Sequence, residues 1–160
     1  MAASATAGKA NAASTKKVES ISMDSKYSVS NIASIAPKMD SRVLKAYKKL
    51  GFTVTIDPSV NYGGCFNAHS RSIILRFENE TIYHELGHFL AFVAGNVDRT
   101  SDFAAVYNSE KSKFTGINRS YATQNSSEYF AESVLEYVTS PSTLKRQETK
   151  NVCSDRGGSE

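Results

Sequence analysis

Two histidines and a glutamate form the most chemically suggestive pattern in the chain. His84, Glu85 and His88 stand in the stretch HELGH, and the whole chain has only three histidines. Residues four apart lie on the same face of an α-helix, so both imidazoles can reach one metal ion. Glu85 is rotated about 100° from His84, which sets its carboxylate beside the metal. The pattern predicts a zinc site in which the metal lowers the pKa of its bound water and Glu85 accepts the proton.

A catalytic zinc ion needs a third protein ligand, and the residues alone leave several candidates open. One group of zinc peptidases continues with a glycine and a third histidine, but Ala91 and Ala94 occupy those positions here. The remaining candidates are His69, Cys153 and three downstream glutamates four residues apart, namely Glu128, Glu132 and Glu136. Glu128 has an alternative role as a capping-box partner of Asn125. Spacing does not choose among these glutamates.

Hydrophobic periodicity predicts the elements that carry these residues. We predict helices over 30–36, 40–51, 79–95, 98–114 and 125–138, strands over 52–56 and twice within 65–77, and a loop over 115–124. Asn79 is expected to cap the HELGH helix and Gly95 to end it. Strands followed mostly by helices in one short chain predict an α+β fold. Residues 1–28 are expected to form a disordered arm, 29–140 the folded domain and 141–160 a polar tail.

Composition narrows the class of protein. The chain has 160 residues, 40% of them hydrophobic, and a dispersed net charge of +3, which disfavours nucleic acid as a partner. It contains no apolar run long enough to cross a membrane and no signal peptide at its start. The two cysteines, Cys65 and Cys153, can form a disulfide in an exported protein or stay as free thiols in the cytoplasm. We expect a monomer that binds neither nucleic acid nor membrane.

The stretches HELGH and YATQNSSEYFAES together resemble a known family. They look like the zinc peptidase domain of anthrax lethal factor and the bacterial Pro-Pro endopeptidases, which use a glutamate as third ligand. In that family a tyrosine lies seven residues before the ligand glutamate, and Tyr121 and Glu128 have this spacing. The similarity covers roughly residues 50–140 and is specific at the two motifs.

The resemblance implies a role for each matching residue. His84, His88 and Glu128 would bind one Zn²⁺ per chain, and Glu85 would be the general base. Tyr121 would stabilise the oxyanion of the tetrahedral intermediate, with a core aromatic as the alternative. Glu132 would accept a hydrogen bond from the far nitrogen of a ligand histidine.

The resemblance also implies a zincin-like fold, a substrate and a compartment. The strand before the HELGH helix, with Ser72, Ile73, Ile74 and Leu75, would be an open sheet edge along which an extended polypeptide lies, and Gly63 and Gly64 would open its approach. The expected activity is that of a secreted zinc endopeptidase acting on an extended segment that can contain proline. The alternatives are a cytoplasmic peptidase that cleaves repressors and a non-catalytic interaction module.

Overall fold

A four-stranded sheet lies at one side of the fold. The computed structural model describes residues 25–141, and residues 1–24 and 142–160 lie outside the described part. The strands are β1 (Tyr27–Val29), β2 (Thr53–Ile56), β3 (Gly64–Asn67) and β4 (Ser72–Leu75). Their order across the sheet is β1-β2-β4-β3, with β2 and β4 parallel and the other two pairs antiparallel. The α+β prediction is confirmed.

The position of β4 corrects one expectation from the sequence. Ser72, Ile73, Ile74 and Leu75 were predicted to form an open edge, but β4 lies between β2 and β3 and pairs with both. Ile73 and Leu75 are fully buried, as their apolar side chains require. Within residues 25–141, the strand at this border of the sheet is β3.

Six α-helices and two short 3-10 helices complete the described chain. The α-helices are α1 (Ile32–Ile35), α2 (Ser41–Lys49), α3 (Thr81–Val93), α4 (Ser101–Glu110), α5 (Arg119–Ala122) and α6 (Ser126–Thr139), and the 3-10 helices are Val97–Arg99 and Lys111–Lys113. Helix α5 falls within 115–124, which was predicted to be a loop. A single turn of helix carries too few residues to show helical periodicity in the sequence.

Helix α3 carries the HELGH stretch between two well-defined ends. Asn79 accepts a hydrogen bond from the amide of Thr81 through its side chain, although Glu80 occupies the cap position itself. At the other end Gly95 has φ of +75°, and the amide of Asn96 bonds the carbonyl of Ala91. This Schellman arrangement satisfies the last carbonyls of the helix and needs a residue that tolerates positive φ. The predicted stop at Gly95 is confirmed.

The core forms where one face of the sheet meets α3. Apolar side chains of β2 and β4 pack with those of α2 and α3 in one buried cluster that includes Val54, Ile56, Ile73, Leu75, Tyr47, Ile82, Leu86 and Phe89. Helix α3 also packs closely along α6. Because α3 is enclosed by the sheet and by α6, even its polar residues His84 and Glu85 are buried.

Two further expectations concern the ends of the chain. Strand β1 includes Tyr27 and Ser28, which were predicted to belong to the disordered arm. They pair with Ile56 and Thr55, so the sheet begins before residue 29. Residues 1–24 of that arm and residues 142–160 of the polar tail, with Cys153, lie outside the described residues. Within residues 25–141, no helix is long and apolar enough to cross a membrane.

Candidate active site

The site forms between α3 and α6. His84 and His88 lie one turn apart on α3, and Glu128 lies in the first turn of α6. Nε2 of His84 is 3.1 Å from Oε2 of Glu128, and Nε2 of His88 is 3.2 Å from Nε2 of His84 and 3.6 Å from Oε2 of Glu128. The structure therefore brings the three predicted ligands to one point.

This donor set fits a zinc ion. Ligands at roughly 2.0–2.1 Å from a tetrahedral zinc lie about 3.3 Å from one another. The three separations between the donor atoms are 3.1, 3.2 and 3.6 Å, close to that value. Two imidazole nitrogens and a carboxylate oxygen are also the donor types of catalytic zinc sites. Among the described residues, these three form the one group arranged to hold a metal.

Glu128 does not have the capping-box role that was its alternative. The side chain of Asn125 accepts a hydrogen bond from the amide of Glu128 at 2.9 Å, so Asn125 caps α6. The Glu128 carboxylate, however, bonds the histidine side chains on α3. The helix start thus fixes the backbone of Glu128 and leaves its carboxylate free for the site.

Glu132 contacts His84 through the ring nitrogen that does not face Glu128. It lies one turn after Glu128, and its Oε2 is 2.9 Å from Nδ1 of His84. Its Oε1 accepts a hydrogen bond from Nδ2 of Asn118 at 3.4 Å. A carboxylate on the far nitrogen fixes the orientation of the ring, so the geometry agrees with the role expected for Glu132. Sequence patterns do not indicate this contact, since Asn118 and Glu132 belong to different parts of the fold.

Glu85 lies beside the three ligands, with its carboxylate against β3. It is buried, and the amide of Phe66 hydrogen-bonds its carboxylate. Gly64 makes room for it, because a Cβ at Gly64 would lie 2.5 Å from Oε1 of Glu85. Gly64 was expected to open the approach to β4. In the structure, its lack of a side chain leaves space for the carboxylate of Glu85.

Tyr121 lies at the mouth of the site. Its ring centroid is 5.7 Å from that of His84, and its hydroxyl hydrogen-bonds the carboxylate of Glu128. The side chain is 50% exposed, so it is not the core aromatic that was its alternative. Helix α5 holds it in place, and the hydroxyl of Tyr107 anchors the end of that helix by bonding the carbonyl of Thr123.

The electrostatics of the site favour a cation. Burial by itself raises the pKa of the Glu128 carboxyl, but hydrogen bonds from His84, His88 and Tyr121 outweigh it and hold the pKa well below its usual range. Burial lowers the pKa of His84, yet the flanking Glu128 and Glu132 raise it to about 9. Burial raises the pKa of Glu85, which makes it a better proton acceptor than an exposed carboxylate.

A glycine on α3 allows the two helices to approach. A Cβ at Gly87 would lie 2.7 Å from Cα and 2.9 Å from the carbonyl oxygen of Ala131 on α6. Both are backbone atoms, so the helices would have to separate to accept a side chain. The small side chain of Ala131 also suits this close approach. A glycine inside an apolar helix, as at Gly87, is itself a packing signal.

We expect Gly87→Ala to loosen the metal site. Alanine favours the helix by about 1 kcal/mol over glycine, but overpacking costs roughly 1–3 kcal/mol, so we expect a net loss of stability of about 1 kcal/mol. The shift between α3 and α6 also moves Glu128 from the histidines, and zinc affinity should fall about tenfold. Urea denaturation and competition with a chromogenic chelator measure the two effects.

Gly63→Ala is the matched control for that variant. A Cβ at Gly63 would meet only the side chain of Thr81, at 3.9 Å and beyond, which is ordinary contact. It should leave zinc affinity unchanged. Adding Ala131→Gly to Gly87→Ala should not restore affinity, because the clash involves backbone atoms. Unchanged zinc affinity in Gly87→Ala would show that the close approach of α3 to α6 does not determine the geometry of the metal site.

Several sequence candidates lie away from this centre. His69 is exposed in the turn between β3 and β4 and is not part of the metal group. Glu136 lies on α6 beyond Glu132 and near Gly116, and burial raises its pKa. The residues of β4 lie inside the sheet, as described above. Of the three spaced glutamates, the site thus includes the first two.

Comparison with known proteins places the chain in a family. The family model of the anthrax toxin lethal factor, N- and C-terminal domain, matches residues 67–152, more than half of the chain. The matched part contains the HELGH stretch and the segment from Tyr121 to Glu132. Comparisons with curated proteins and with solved structures gave no match. The lethal factor family is a family of zinc metalloproteases. The chain belongs to the family of the anthrax toxin lethal factor, N- and C-terminal domain.

Proposed function

We propose that the protein is a zinc-dependent endopeptidase that hydrolyses peptide bonds in extended polypeptide segments. The observation that carries this proposal is the separation of the three donor atoms, which matches a tetrahedral zinc site, with Glu85 beside them. A zinc ion held by His84, His88 and Glu128 would polarise water and the scissile carbonyl. We further propose that the protein acts as a secreted monomer on a protein substrate.

Glu85 and Tyr121 would carry the proton transfer and the charge stabilisation. The Glu85 carboxylate accepts a proton from the attacking water and delivers it to the leaving amine. The Tyr121 hydroxyl, at the exposed mouth of the site, donates a hydrogen bond to the oxyanion that forms at the scissile carbonyl. Glu132 holds the His84 ring in position throughout.

Strand β3 is the element against which the substrate would lie. It is the border strand next to Glu85, and the side chains of Cys65 and Asn67 are exposed. An extended peptide can add to such a border through main-chain hydrogen bonds. The proposal replaces β4, to which the sequence assigned this role. Unfolded and proline-containing segments suit this mode because they are not committed to helices.

Metal content and hydrolysis together test the proposal. Zinc per chain is measured in the wild type and in His84→Ala, Glu128→Ala and Glu136→Ala, and hydrolysis is followed on fluorescein-labelled casein, an unfolded proline-rich substrate. We expect about one zinc in the wild type and in Glu136→Ala, and a substantial loss in the other two variants. Glu136 is a matched control because it lies on the same helix outside the donor group.

Removal of the metal provides the second arm of this experiment. A zinc chelator should abolish casein hydrolysis, and added zinc should restore it. Hydrolysis that survives complete zinc removal would contradict the zinc mechanism. Zinc binding without hydrolysis of casein or of a proline-containing peptide library would favour a non-catalytic metal-binding module instead.

The space at Gly64 gives a more local test of the position of Glu85. In Gly64→Ala, a Cβ would lie within 3 Å of Oε1 and Cγ of Glu85 and of Cγ2 of Thr81, so the carboxylate must move. Small displacements of a catalytic group are costly, and we expect casein hydrolysis to fall about tenfold with zinc content unchanged. Gly63→Ala should retain full activity. Equal activities of the two variants would exclude this role for Gly64.

A further inference from the structure

Asp98 is a buried carboxylate that has no part in the mechanism above. It lies in the 3-10 helix Val97–Arg99 that follows α3, and it is 3% exposed. Its Oδ2 accepts a hydrogen bond from the hydroxyl of Ser127 at 2.5 Å. Its Oδ1 has no hydrogen-bond partner among the described residues. A buried, half-satisfied carboxylate is unfavourable in itself and calls for a reason why it is kept.

The place of this bond in the fold supplies the reason. Ser127 is the residue immediately before Glu128, in the first turn of α6. Asp98 is tied to the end of α3 through the Schellman turn at Gly95 and Asn96. The bond therefore joins the end of the helix that carries both histidines to the beginning of the helix that carries the third ligand. The Asp98 carboxylate also lies at the N-terminal end of α6, where the helix dipole favours an acidic side chain.

Two other contacts fix the same helices but leave the start of α6 undetermined. The approach of Gly87 to Ala131 sets the helix separation one turn further along α6. The hydrogen bond between Glu132 and His84 joins the two helices at this same turn of α6. Near Glu128, Asn125 bonds the Glu128 amide but belongs to the same segment. The bond from Ser127 to Asp98 connects this segment to the α3 side.

We propose that Asp98, through Ser127, is a positioning residue that holds Glu128 in register with His84 and His88. Without the bond, the first turn of α6 keeps its cap but loses its fixed position relative to α3. The bound metal would then have a displaced or weaker third ligand. This inference rests on the proposed metal site, although it does not require hydrolytic activity.

Cobalt substitution tests the proposal, because the visible absorption of protein-bound Co²⁺ responds to the geometry of its ligands. The variants are Ser127→Ala, which removes the donor, and Ser127→Thr, which keeps a hydroxyl. Ser133→Ala is the matched control, since its hydroxyl donates a hydrogen bond to the carbonyl of Tyr129 within α6. Zinc affinity is measured on the same proteins by chelator competition.

We expect Ser127→Ala to change the cobalt spectrum and to weaken zinc binding about tenfold, as loss of outer-shell partners commonly does. Ser127→Thr should restore both properties, and Ser133→Ala should resemble the wild type. Asp98→Asn should change the spectrum in the same sense if it folds. A wild-type spectrum and wild-type zinc affinity in Ser127→Ala would overturn the proposal, since a merely structural bond would alter stability alone.

The outcomes separate this proposal from the proposed function. A wild type that binds cobalt but does not hydrolyse casein would contradict the endopeptidase proposal, while the variant series would still decide the role of Ser127. A wild type that binds neither cobalt nor zinc would overturn both.

Discussion

Glu85→Gln should abolish most of the hydrolytic activity and leave the metal in place. Glutamine has nearly the same shape as glutamate, so it fits the buried space beside Gly64, but it cannot accept a proton. Loss of a general base costs about 10²- to 10⁴-fold in rate. Because the Glu85 carboxylate is outside the donor group, zinc content should remain about one per chain. Casein hydrolysis and zinc analysis on the same preparation measure both.

The control for this prediction is Glu80→Gln, which removes a charge just before the same helix. Glu80 pairs with Lys38 at the surface, where a salt bridge has little energetic effect, so activity should be unchanged. Full activity in Glu85→Gln would exclude the general-base role. A simultaneous loss of zinc and activity would instead mean that Glu85 has a structural effect on the ligands.

The sequence predicted that the two histidines lie together because helical spacing is a local property. Two histidines four apart on an apolar helix must share a face, and the structure places both donor nitrogens at one point. The third ligand required more than spacing, since Glu128, Glu132 and Glu136 lie on one stripe of α6. The tyrosine pattern of the family selected Glu128, and the hydrogen bond that Glu132 accepts from His84 explains why these two carboxylates have different positions.

The order of the strands could not be read from the sequence in the same way. Strand β4 directly precedes α3, so it was taken as the border of the sheet near the site. Its apolar residues Ile73 and Leu75 are better explained by burial between two strands. The chain reverses after β3, so β3 lies at the border of the sheet and β4 pairs with both β3 and β2. Which strands pair with each other depends on the tertiary structure. A fully apolar run is therefore evidence for a central strand.

Close contacts between backbone and side chain were the other features that the sequence did not predict. Gly64 is required by Glu85 and Thr81, Gly87 is required by Ala131, and none of these neighbours is adjacent in sequence. The bond from Ser127 to Asp98 also joins residues that are distant in the chain. Such positions follow from the packing of α3 against β3 and α6, which composition and periodicity do not specify.

Tyr121→Phe should lower hydrolysis about a hundredfold while the fold and the zinc content are retained. The ring is half exposed, so loss of its hydroxyl leaves no unsatisfied group in the core. Removing one donor to an oxyanion typically costs about 3 kcal/mol, which corresponds to roughly this factor. Because the bond forms mainly in the transition state, kcat should fall and KM should change little. Steady-state kinetics on a casein-derived peptide measure both constants.

Tyr137→Phe is the matched control, since Tyr137 is also an exposed tyrosine but lies near the end of α6. Its kinetics should match those of the wild type. The hydroxyl of Tyr121 also bonds Glu128, so its effect on this ligand must be distinguished from its effect on the oxyanion. If the hydroxyl mainly orients the ligand, Tyr121→Phe will lose zinc affinity along with activity. Unchanged zinc affinity with a hundredfold lower kcat would assign the hydroxyl to the oxyanion, and wild-type kcat would exclude that role.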